Sequence, residues 1–312
     1  MTPVIHTQSL SCRFGRITAL DRIDLDVAEG TVYALVGANG AGKTTLIKIL
    51  MNIFAPTAGE GLVLGVPSLK VAGDVFARVG YVSENQEMPD WMTAADMLAY
   101  WRNFYPTWDR ELEQQLVRQL SFPLDRKLKH LSRGQRMKAA FASSLAYRPA
   151  LLVLDEPFSG LDPLVRDELI ETLVDRAPET TIFLSSHDLA EIETFSTHLG
   201  FLEQGHLLFS EEMTTLANRF REVTVTLGQP SGVPSNPPPS WLRLEHADSV
   251  VRFVHSNFES QATPAEIAAA FPSARDIALD SMPLRSIFLS IARSSRALET
   301  PAVSKQTNGV KA

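Results

Sequence analysis

The sequence predicts an α/β protein with a parallel sheet at its centre, and three stretches lead to this expectation. Residues 31–36 form an apolar run rich in β-branched residues. A glycine-rich loop follows this run, and apolar residues at helical spacing follow the loop. Residues 151–154 and 181–185 are continuous apolar runs, as in parallel strands that are buried on both faces. Together these stretches predict strands and helices that alternate around one core.

Short antiparallel strands are expected on the N-terminal side of this core. Residues 4–30 are typical of such strands, with apolar side chains alternating with aspartates over residues 23–27. The stretch 56–59 contains proline and glycine and predicts a turn, and residues 61–65 predict a further strand. An antiparallel β-subdomain is therefore expected beside the parallel sheet.

A helical subdomain is expected at about residues 87–131. Apolar residues recur at helical spacing over 93–104 and 109–120, and Thr93 with Asp96 resembles a capping box. Aromatic residues in such a stretch either anchor an interface or pack between helices, and the sequence favours neither. The aromatic side chains concerned are Trp91, Trp101, Tyr105 and Trp108.

Further helices and strands complete the α/β domain, whose expected range is 1–222. A buried helix is predicted over residues 137–147, and the apolar strand after it delivers Asp155 and Glu156 at its carboxyl end. A closing hairpin is predicted around Gln204–Gly205.

A small α+β domain is expected over residues 223–292. Five prolines between residues 229 and 240 exclude a regular element there and predict an extended loop. Strands are predicted on either side of that loop, and residues 284–291 are the last stretch with a helical pattern. The polar residues 293–312 predict a disordered tail.

The composition narrows the possible classes of function. The 312-residue chain carries 29 basic and 36 acidic side chains, a net charge of −7, which argues against a dedicated nucleic-acid binder. A single cysteine, Cys12, excludes an intrachain disulfide and favours a reduced compartment. The sequence contains neither the apolar run of a membrane-spanning helix nor a secretory signal pattern, so a cytoplasmic protein is expected, with any membrane part on another chain.

Residues 37–45 fit the G-x-x-x-x-G-K-[ST] pattern of a phosphate-binding loop. The strand before them and the helix after them are the context that this motif requires. The loop glycines let the backbone approach a phosphate chain, and the loop N–H groups and the helix dipole then face the phosphates. Lys43 adds a positive charge for the β- and γ-phosphates, and Thr44 offers a hydroxyl to Mg²⁺.

Two acidic residues after a buried strand gain a role beside this loop. Asp155 is expected to hold Mg²⁺, and Glu156 is expected to position or deprotonate the water that attacks the γ-phosphate. His187, which follows another buried strand, either donates a hydrogen bond to the γ-phosphate or is a structural histidine. Phe14 either stacks on a base or packs in the β-subdomain, and its local pattern favours packing.

These motifs, in this order, resemble those of the ATP-binding subunits of ABC transporters. Residues 37–45 look like the Walker A loop, 131–135 like the family signature, and 151–156 like Walker B with its glutamate. The signature excludes ordinary P-loop kinases and GTPases, and the resemblance extends over residues 4–220. Further matches are the D-loop, the switch histidine and the adenine-stacking aromatic, at residues 159–162, His187 and Phe14.

The resemblance implies a P-loop ABC-ATPase fold, with ATP and Mg²⁺ as cofactors. It implies a head-to-tail pair of ATPase subunits, either identical or closely related, that bind ATP between them. This pair would drive separate transmembrane permease subunits at the cytoplasmic face of the cell membrane, with the helical subdomain receiving the permease and no nucleic acid involved. The C-terminal domain resembles those of bacterial export-type systems.

The resemblance also assigns residues to each role. Hydrolysis is assigned to Lys43, Glu156 and His187, and the metal to Thr44, Glu84 and Asp155. Nucleotide binding is assigned to Phe14, Gly37, Asn39, Gly40, Ala41, Gly42, Lys43, Thr44, Thr45, Ser132, Gly134, Gln135 and Asp162.

Two residues depart from the family pattern. Glu84 stands where the family has the Q-loop glutamine, which adds negative charge near a triphosphate, and Gln86 nearby allows a shifted register. Arg133 replaces the first glycine of the signature, between Ser132 and Gly134, the residues expected to touch the γ-phosphate across the dimer. ATP binding is nevertheless predicted to be retained.

Two other classes of function stay open. The first is an ABC ATPase that acts on ribosomes or DNA without a membrane partner, but a single ATPase domain and the lack of sustained heptads argue against it. The second is an inactive regulatory binder, which only Glu84 and Arg133 favour.

Overall fold

The computed structural model describes residues 3–228, 233–234 and 236–299. The chain divides into two compact units, residues 1–213 and 214–312. This division falls inside a short helix, Met213–Arg219, and lies earlier than the boundary expected at residue 222.

The described part of the first unit contains two sheets. Its strands are β1 Ile5–Phe14, β2 Ile17–Val27, β3 Val32–Val36, β4 Ala58–Val63, β5 Val66–Pro67, β6 Val79–Ser83, β7 Leu151–Asp155, β8 Thr181–Ser186, β9 His198–Glu203 and β10 His206–Glu212. One sheet has the order β2-β1-β4-β5 and is antiparallel. The other has the order β10-β9-β3-β8-β7-β6 and is parallel except for the β9–β10 hairpin. The predicted α/β fold with an antiparallel β-subdomain is therefore confirmed.

The helices as far as residue 219 are numbered in chain order. They are α1 Lys43–Leu50, α2 Ala94–Trp101, α3 Arg110–Leu120, α4 Arg133–Leu145, α5 Pro163–Arg176, α6 Leu189–Ile192 and α7 Met213–Arg219. Helix α2 begins with the predicted capping box, in which the Asp96 N–H donates to Thr93 Oγ1 at 3.1 Å. Helix α3 is capped by Asp109, whose carboxylate accepts from two backbone N–H groups.

Burial of the parallel strands positions the site. Every residue of β3, β7 and β8 is buried, so these strands have no solvent-exposed face. Their carboxyl ends meet at one edge of the sheet, where β3 leads into Gly37, β7 ends at Asp155 and β8 ends at Ser186. Such an edge is where open α/β sheets bind their ligands.

The strand expected at residues 61–65 is shifted towards the N-terminus. Strand β4 starts at Ala58, inside the stretch predicted to be a turn, and ends at Val63. Gly59 can enter the strand with a φ of +74° because it has no Cβ, which would lie 2.2 Å from the Ser9 carbonyl oxygen. Leu64, with a φ of +50°, then turns the chain.

The second unit is a four-stranded antiparallel sheet with helices. Its strands, β11 Arg221–Leu227, β12 Trp241–Ala247, β13 Val250–His255 and β14 Ala274–Ser281, have the order β12-β13-β11-β14. Its helices are α8 Ala262–Ala270 and α9 Leu284–Glu299. Strand β14 was not predicted, because its half-exposed residues alternate too weakly to mark a strand.

Two predictions on the second unit concern irregular chain. Residues 233–234 and 236–240 of the proline-rich stretch lie between strands without forming one, while 229–232 and 235 lie outside the described residues. The tail expected from residue 293 is instead helical as far as Glu299, because α9 continues through it. Residues 300–312 lie outside the described residues. Within the described chain, no helix combines the length and apolar character needed to cross a membrane.

Candidate functional site

In the loop between β3 and α1, the N–H groups of Gly37 and Ala41 donate to the carbonyl oxygens of Ser186 and Ala38, and the other N–H groups of the loop are available to an anion. Gly40 and Gly42 have φ angles of +81° and +112°, which turn the chain into the helix. Among the described residues, no side chain caps α1 and no acidic residue lies in its first turn. The unpaired N–H groups and the positive end of the helix dipole therefore suit a phosphate.

The three glycines of this loop have different reasons to be glycine. A Cβ at Gly37 would lie 2.1 Å from the Leu202 carbonyl oxygen, and one at Gly42 would lie 2.5 Å from that of Ala19. Close packing within the chain therefore requires these two. A Cβ at Gly40 would meet no described atom within 4 Å. Gly40 differs from the other two in having open space beside it.

The Lys43 ammonium is buried and already held by the chain. It donates to the carbonyl oxygens of Gly37 at 2.6 Å and Ala38 at 3.2 Å. Its Nζ also lies 3.0 Å from Oε1 of Glu156, an ion pair without hydrogen-bond geometry. The other carboxylate oxygen of Glu156 lies 2.7 Å from Nδ1 of His187. Glu156 is therefore in direct contact with the two other residues assigned to hydrolysis.

Asp155 receives two hydroxyl groups at one carboxylate oxygen. Thr44 Oγ1 donates to Oδ1 of Asp155 at 3.0 Å, and Ser185 Oγ donates to the same atom at 2.8 Å. Burial raises the pKa of Asp155 above its ordinary value, and these two hydroxyls oppose the shift. The Thr44 hydroxyl and the Asp155 carboxylate are hard oxygen ligands side by side, which fits Mg²⁺ with phosphate and water as its other ligands.

Ser185 is a functional residue that the sequence reasoning missed. Its side chain is fully buried, and besides donating to Asp155 it accepts from the Glu156 N–H at 3.0 Å. Glu156 has a φ of +50°, a strained value for a residue with a Cβ, and such strain concentrates at functional sites. The available signal was a serine directly after the apolar residues 182–184 of this strand.

Eight of the assigned residues line one cleft of about 350 Å³. A neighbouring cavity of about 220 Å³ adds Asp155 to this set and shares Thr44, Glu84 and Glu156 with the cleft. The wall of the cleft on the β2 side consists of Ile17, Thr18 and Ala19, which the sequence reasoning also missed. The assigned residues that line the cleft are Asn39, Gly40, Gly42, Lys43, Thr44, Thr45, Glu84 and Glu156.

Phe14 lies at the end of β1, 47% exposed. Its ring packs edge-on against Phe54, with 5.5 Å between the ring centroids. The packing expected from its local pattern is therefore present, and half of its surface is still free for a base. Ala41, by contrast, is buried in the core, and its N–H and carbonyl groups bond to Ala38 and Gly205.

The signature residues form a separate group at the start of α4. That helix begins at residue 133, earlier than the predicted 137, because Ser132 and Gln135 form a capping box. Gly134 packs against α5, where an added Cβ would lie 3.2 Å from the Val165 side chain. Asp162 caps α5 by accepting from the Val165 N–H at 3.1 Å. None of these described residues lines the cleft of its own chain.

The two departures from the family pattern contact each other. Arg133 Nη2 donates to Oε1 of Glu84 at 2.8 Å, and Ser159 Oγ donates to the same oxygen at 2.9 Å. The bond from Arg133 lowers the pKa of the Glu84 carboxyl below its ordinary value. The Glu84 N–H donates to the Asp155 carbonyl oxygen at 2.9 Å, which fixes this residue beside the acidic end of β7.

The aromatic side chains of the helical subdomain divide into two groups. Tyr105 stacks on Tyr147 with 3.8 Å between ring centroids, and Trp108 donates through Nε1 to the buried Glu113 at 2.7 Å. Trp101 is half-buried and in contact with Tyr105. These residues pack within the subdomain. Trp91 is 70% exposed, so for this residue the alternative of an interface anchor stays open.

Comparison with known proteins identifies the family. Residues 20–159 match the ABC transporter family profile. A bacitracin transport ATP-binding protein of Bacillus licheniformis, BcrA, is 30% identical over 226 residues, which are 71% of this chain and 74% of that protein. An uncharacterised ABC transporter ATP-binding protein of Nostoc sp. is 33% identical over 64% of this chain, which spans 62% of that relative's length.

Solved structures of ATP-binding cassettes share the fold. The structure of an ATP-binding subunit of an ABC transporter aligns with a TM-score of 0.62 at 24% identity, over 69% of this chain and 92% of that one. A dimeric ATP-binding cassette bound to ADP and phosphate aligns with a TM-score of 0.60 at 20% identity, over 67% of this chain and 98% of that one. The chain therefore belongs to the ABC transporter family as an ATP-binding subunit, in a family of ATPases.

Proposed function

We propose that this chain is the ATP-hydrolysing subunit of an ABC exporter, and that it works as a pair of ATPase subunits on a separate membrane permease. The observation that carries the proposal is the division of the site into two groups. Lys43 and Glu156 line one cleft and Asp155 lines the cavity next to it, while Ser132 and Gly134 lie at the start of α4 and line neither. A second subunit that contributes its own signature residues would complete each cleft.

The contacts of the cleft indicate how its residues would act on ATP. The phosphates of ATP would replace the Glu156 carboxylate as the negative partner of Lys43. Binding of ATP would therefore release the Glu156 carboxylate from its ion pair. Glu156 is then free to accept a proton from the attacking water, while His187, 2.7 Å from it, fixes its orientation. Thr44 and Asp155 would hold Mg²⁺, which when bound neutralises charge on the β- and γ-phosphates.

Pairing explains how hydrolysis could be converted into movement. A γ-phosphate held by two subunits stabilises the closed pair, and its loss after hydrolysis weakens that pair. The ligand therefore shifts the population between closed and open arrangements. Export as the direction is supported by the relatives named bacitracin transport and probable multidrug ABC transporter ATP-binding proteins.

The alternative of an ABC ATPase without a membrane partner can be tested directly. We would purify the Glu156→Gln variant, which should keep ATP bound, from gently solubilised native membranes with Mg-ATP present. A polytopic membrane protein that co-purifies is the expected result, and Lys43→Ala is the matched control, since it should lose ATP and the partner together. Recovery with ribosomes or DNA, and with no membrane protein, would contradict the transporter function.

A further inference from the structure

Glu84 and Arg133 are each unexpected alone but form one group in the structure. A single oxygen of Glu84 accepts from both the Arg133 guanidinium and the Ser159 hydroxyl, at 2.8 and 2.9 Å. The guanidinium also lies over Gly160, where an added Cβ would be 3.4 Å from its carbon atom. Arg133 thus ties the loop after β6, the start of α4 and the loop after β7 together.

The charges of this group matter because of where Glu84 lies. Glu84 lines both the P-loop cleft and the neighbouring cavity, beside Asp155 and Glu156. Two carboxylates and a triphosphate already concentrate negative charge there, so a third free carboxylate would repel the nucleotide. The Arg133 guanidinium, which is always protonated, neutralises it in place.

We propose that Glu84 and Arg133 act as one charge-compensated pair in which Arg133 is a positioning residue for ATP. Arg133 cancels the charge of Glu84 beside the triphosphate, and Glu84 in return anchors the first turn of α4, which carries Ser132 and Gly134. The proposal rests on the proposed function, because it requires that this cleft binds Mg-ATP. It makes the effect of Arg133 depend on Glu84, so that loss of Arg133 weakens ATP binding only while the Glu84 carboxylate is present.

A mutant cycle on ATP affinity tests this dependence. We would measure the Kd of Mg-AMP-PNP by isothermal titration calorimetry at low salt for the unmodified chain, Arg133→Gly, Arg133→Lys, Glu84→Gln and the double variant Glu84→Gln/Arg133→Gly. Arg133→Gly should weaken binding about fivefold, because it leaves a bare carboxylate near the phosphates. Arg133→Lys, which keeps the positive charge, and the double variant should both bind within about twofold of the unmodified chain.

The matched control is another ion pair between the same helix and the loop after β6. Arg136 Nη2 donates to Asp90 at 2.6 Å, and neither residue lines the P-loop cleft. Asp90→Asn should therefore leave the Kd unchanged. Melting temperatures of all variants separate a loss of folding from a loss of affinity.

The results distinguish this inference from the function on which it rests. Recovery of affinity in the double variant and in Arg133→Lys supports the pair. A double variant that binds as weakly as Arg133→Gly, or equal affinity in every variant, overturns the pair and leaves the ATPase function intact. An unmodified chain that does not bind Mg-AMP-PNP overturns both.

Discussion

At the scale of single residues, one buried hydroxyl bonds both acidic residues that follow one another at the end of β7. Ser185 Oγ lies 2.8 Å from Asp155 Oδ1 and 3.0 Å from the Glu156 backbone nitrogen. It thereby places a donor on the buried carboxylate of Asp155 and an acceptor on the strained backbone of Glu156. A small displacement of either acid would misalign the water or the metal, so Ser185 should matter to the reaction without touching ATP.

Ser185→Ala should lower the ATP hydrolysis rate about tenfold, with little change in KM for ATP. The variant should also lose about 1–3 kcal/mol of stability, since buried polar groups lose a partner. Steady-state kinetics and urea unfolding measure the two effects. Ser143→Ala is the control, because Ser143 is also buried but bonds only within α4. An unchanged kcat in Ser185→Ala would contradict this role.

Replacing Gly40 and Gly42 by alanine should lower the free energy of unfolding by different amounts. Gly40→Ala should cost about 1 kcal/mol, because only the left-handed backbone is strained and the space beside it is open. Gly42→Ala should cost about 3 kcal/mol or more, because its Cβ would also collide with the Ala19 carbonyl oxygen. Urea unfolding of the two variants makes the comparison. Equal losses would mean that the backbone around Gly42 relaxes freely.

At the scale of secondary-structure elements, strand β13 carries a histidine inside the second unit. His255 is buried, and its Nδ1 accepts from the Asn257 N–H at 3.3 Å. Its Nε2 lies 3.7 Å from the Glu266 carboxylate on α8, which is too far for a hydrogen bond. Burial lowers the pKa of His255 below its ordinary value of 6.5, and Glu266 offsets the shift only in part.

Acidification should therefore destabilise this unit. Since the pKa of His255 is lower in the folded chain than in the unfolded chain, its stabilisation is present above pH 6.5 and is lost as the pH falls through the folded-state pKa. Calorimetry should show the melting temperature falling by a few degrees between pH 7.5 and 5.5. His255→Gln should flatten this dependence, whereas His246→Gln, at an exposed position, should keep it. Parallel profiles for both variants would exclude His255 as the cause.

At the scale of the whole molecule, the second unit has a core of its own. Trp241 stacks on Phe253 with 4.2 Å between ring centroids, and the Phe271 ring lies 5.6 Å from that of Trp241 and 6.5 Å from that of Phe253. Valines of β11 and β13 and Ile267 of α8 complete this buried cluster. A closed apolar core of this kind is what an independently folding domain requires.

Residues 213–299 expressed alone should fold. The fragment should unfold in one cooperative thermal step, followed by circular dichroism. Phe253→Ala should abolish the step, because removing a buried phenylalanine side chain lowers the free energy of unfolding by about 3–5 kcal/mol. That is most of the free energy of unfolding of a small domain. A gradual transition in the unmodified fragment would show that this unit depends on the rest of the chain.

Local patterns in the sequence were enough for much of the fold and for part of the site. Continuous apolar runs predicted β7 and β8 because buried parallel strands leave no polar face. The capping pair Thr93 and Asp96 predicted the start of α2, because a cap acts within one helical turn. Weakly patterned β14 escaped prediction, since its pairing with β11 and not its own pattern makes it a strand.

Side-chain contacts between distant stretches had to come from the folded chain. The sequence placed Lys43, Asp155 and Glu156 in recognisable motifs, whose spacing reflects chemistry shared by a family. The sequence marked Glu84 and Arg133 only as two separate departures from the family pattern. Their 2.8 Å contact joins residues 49 positions apart, and no local pattern encodes such a distance. Motifs read locally reveal the chemistry, but the charge balance around them depends on how the sheet and helix α4 pack in space.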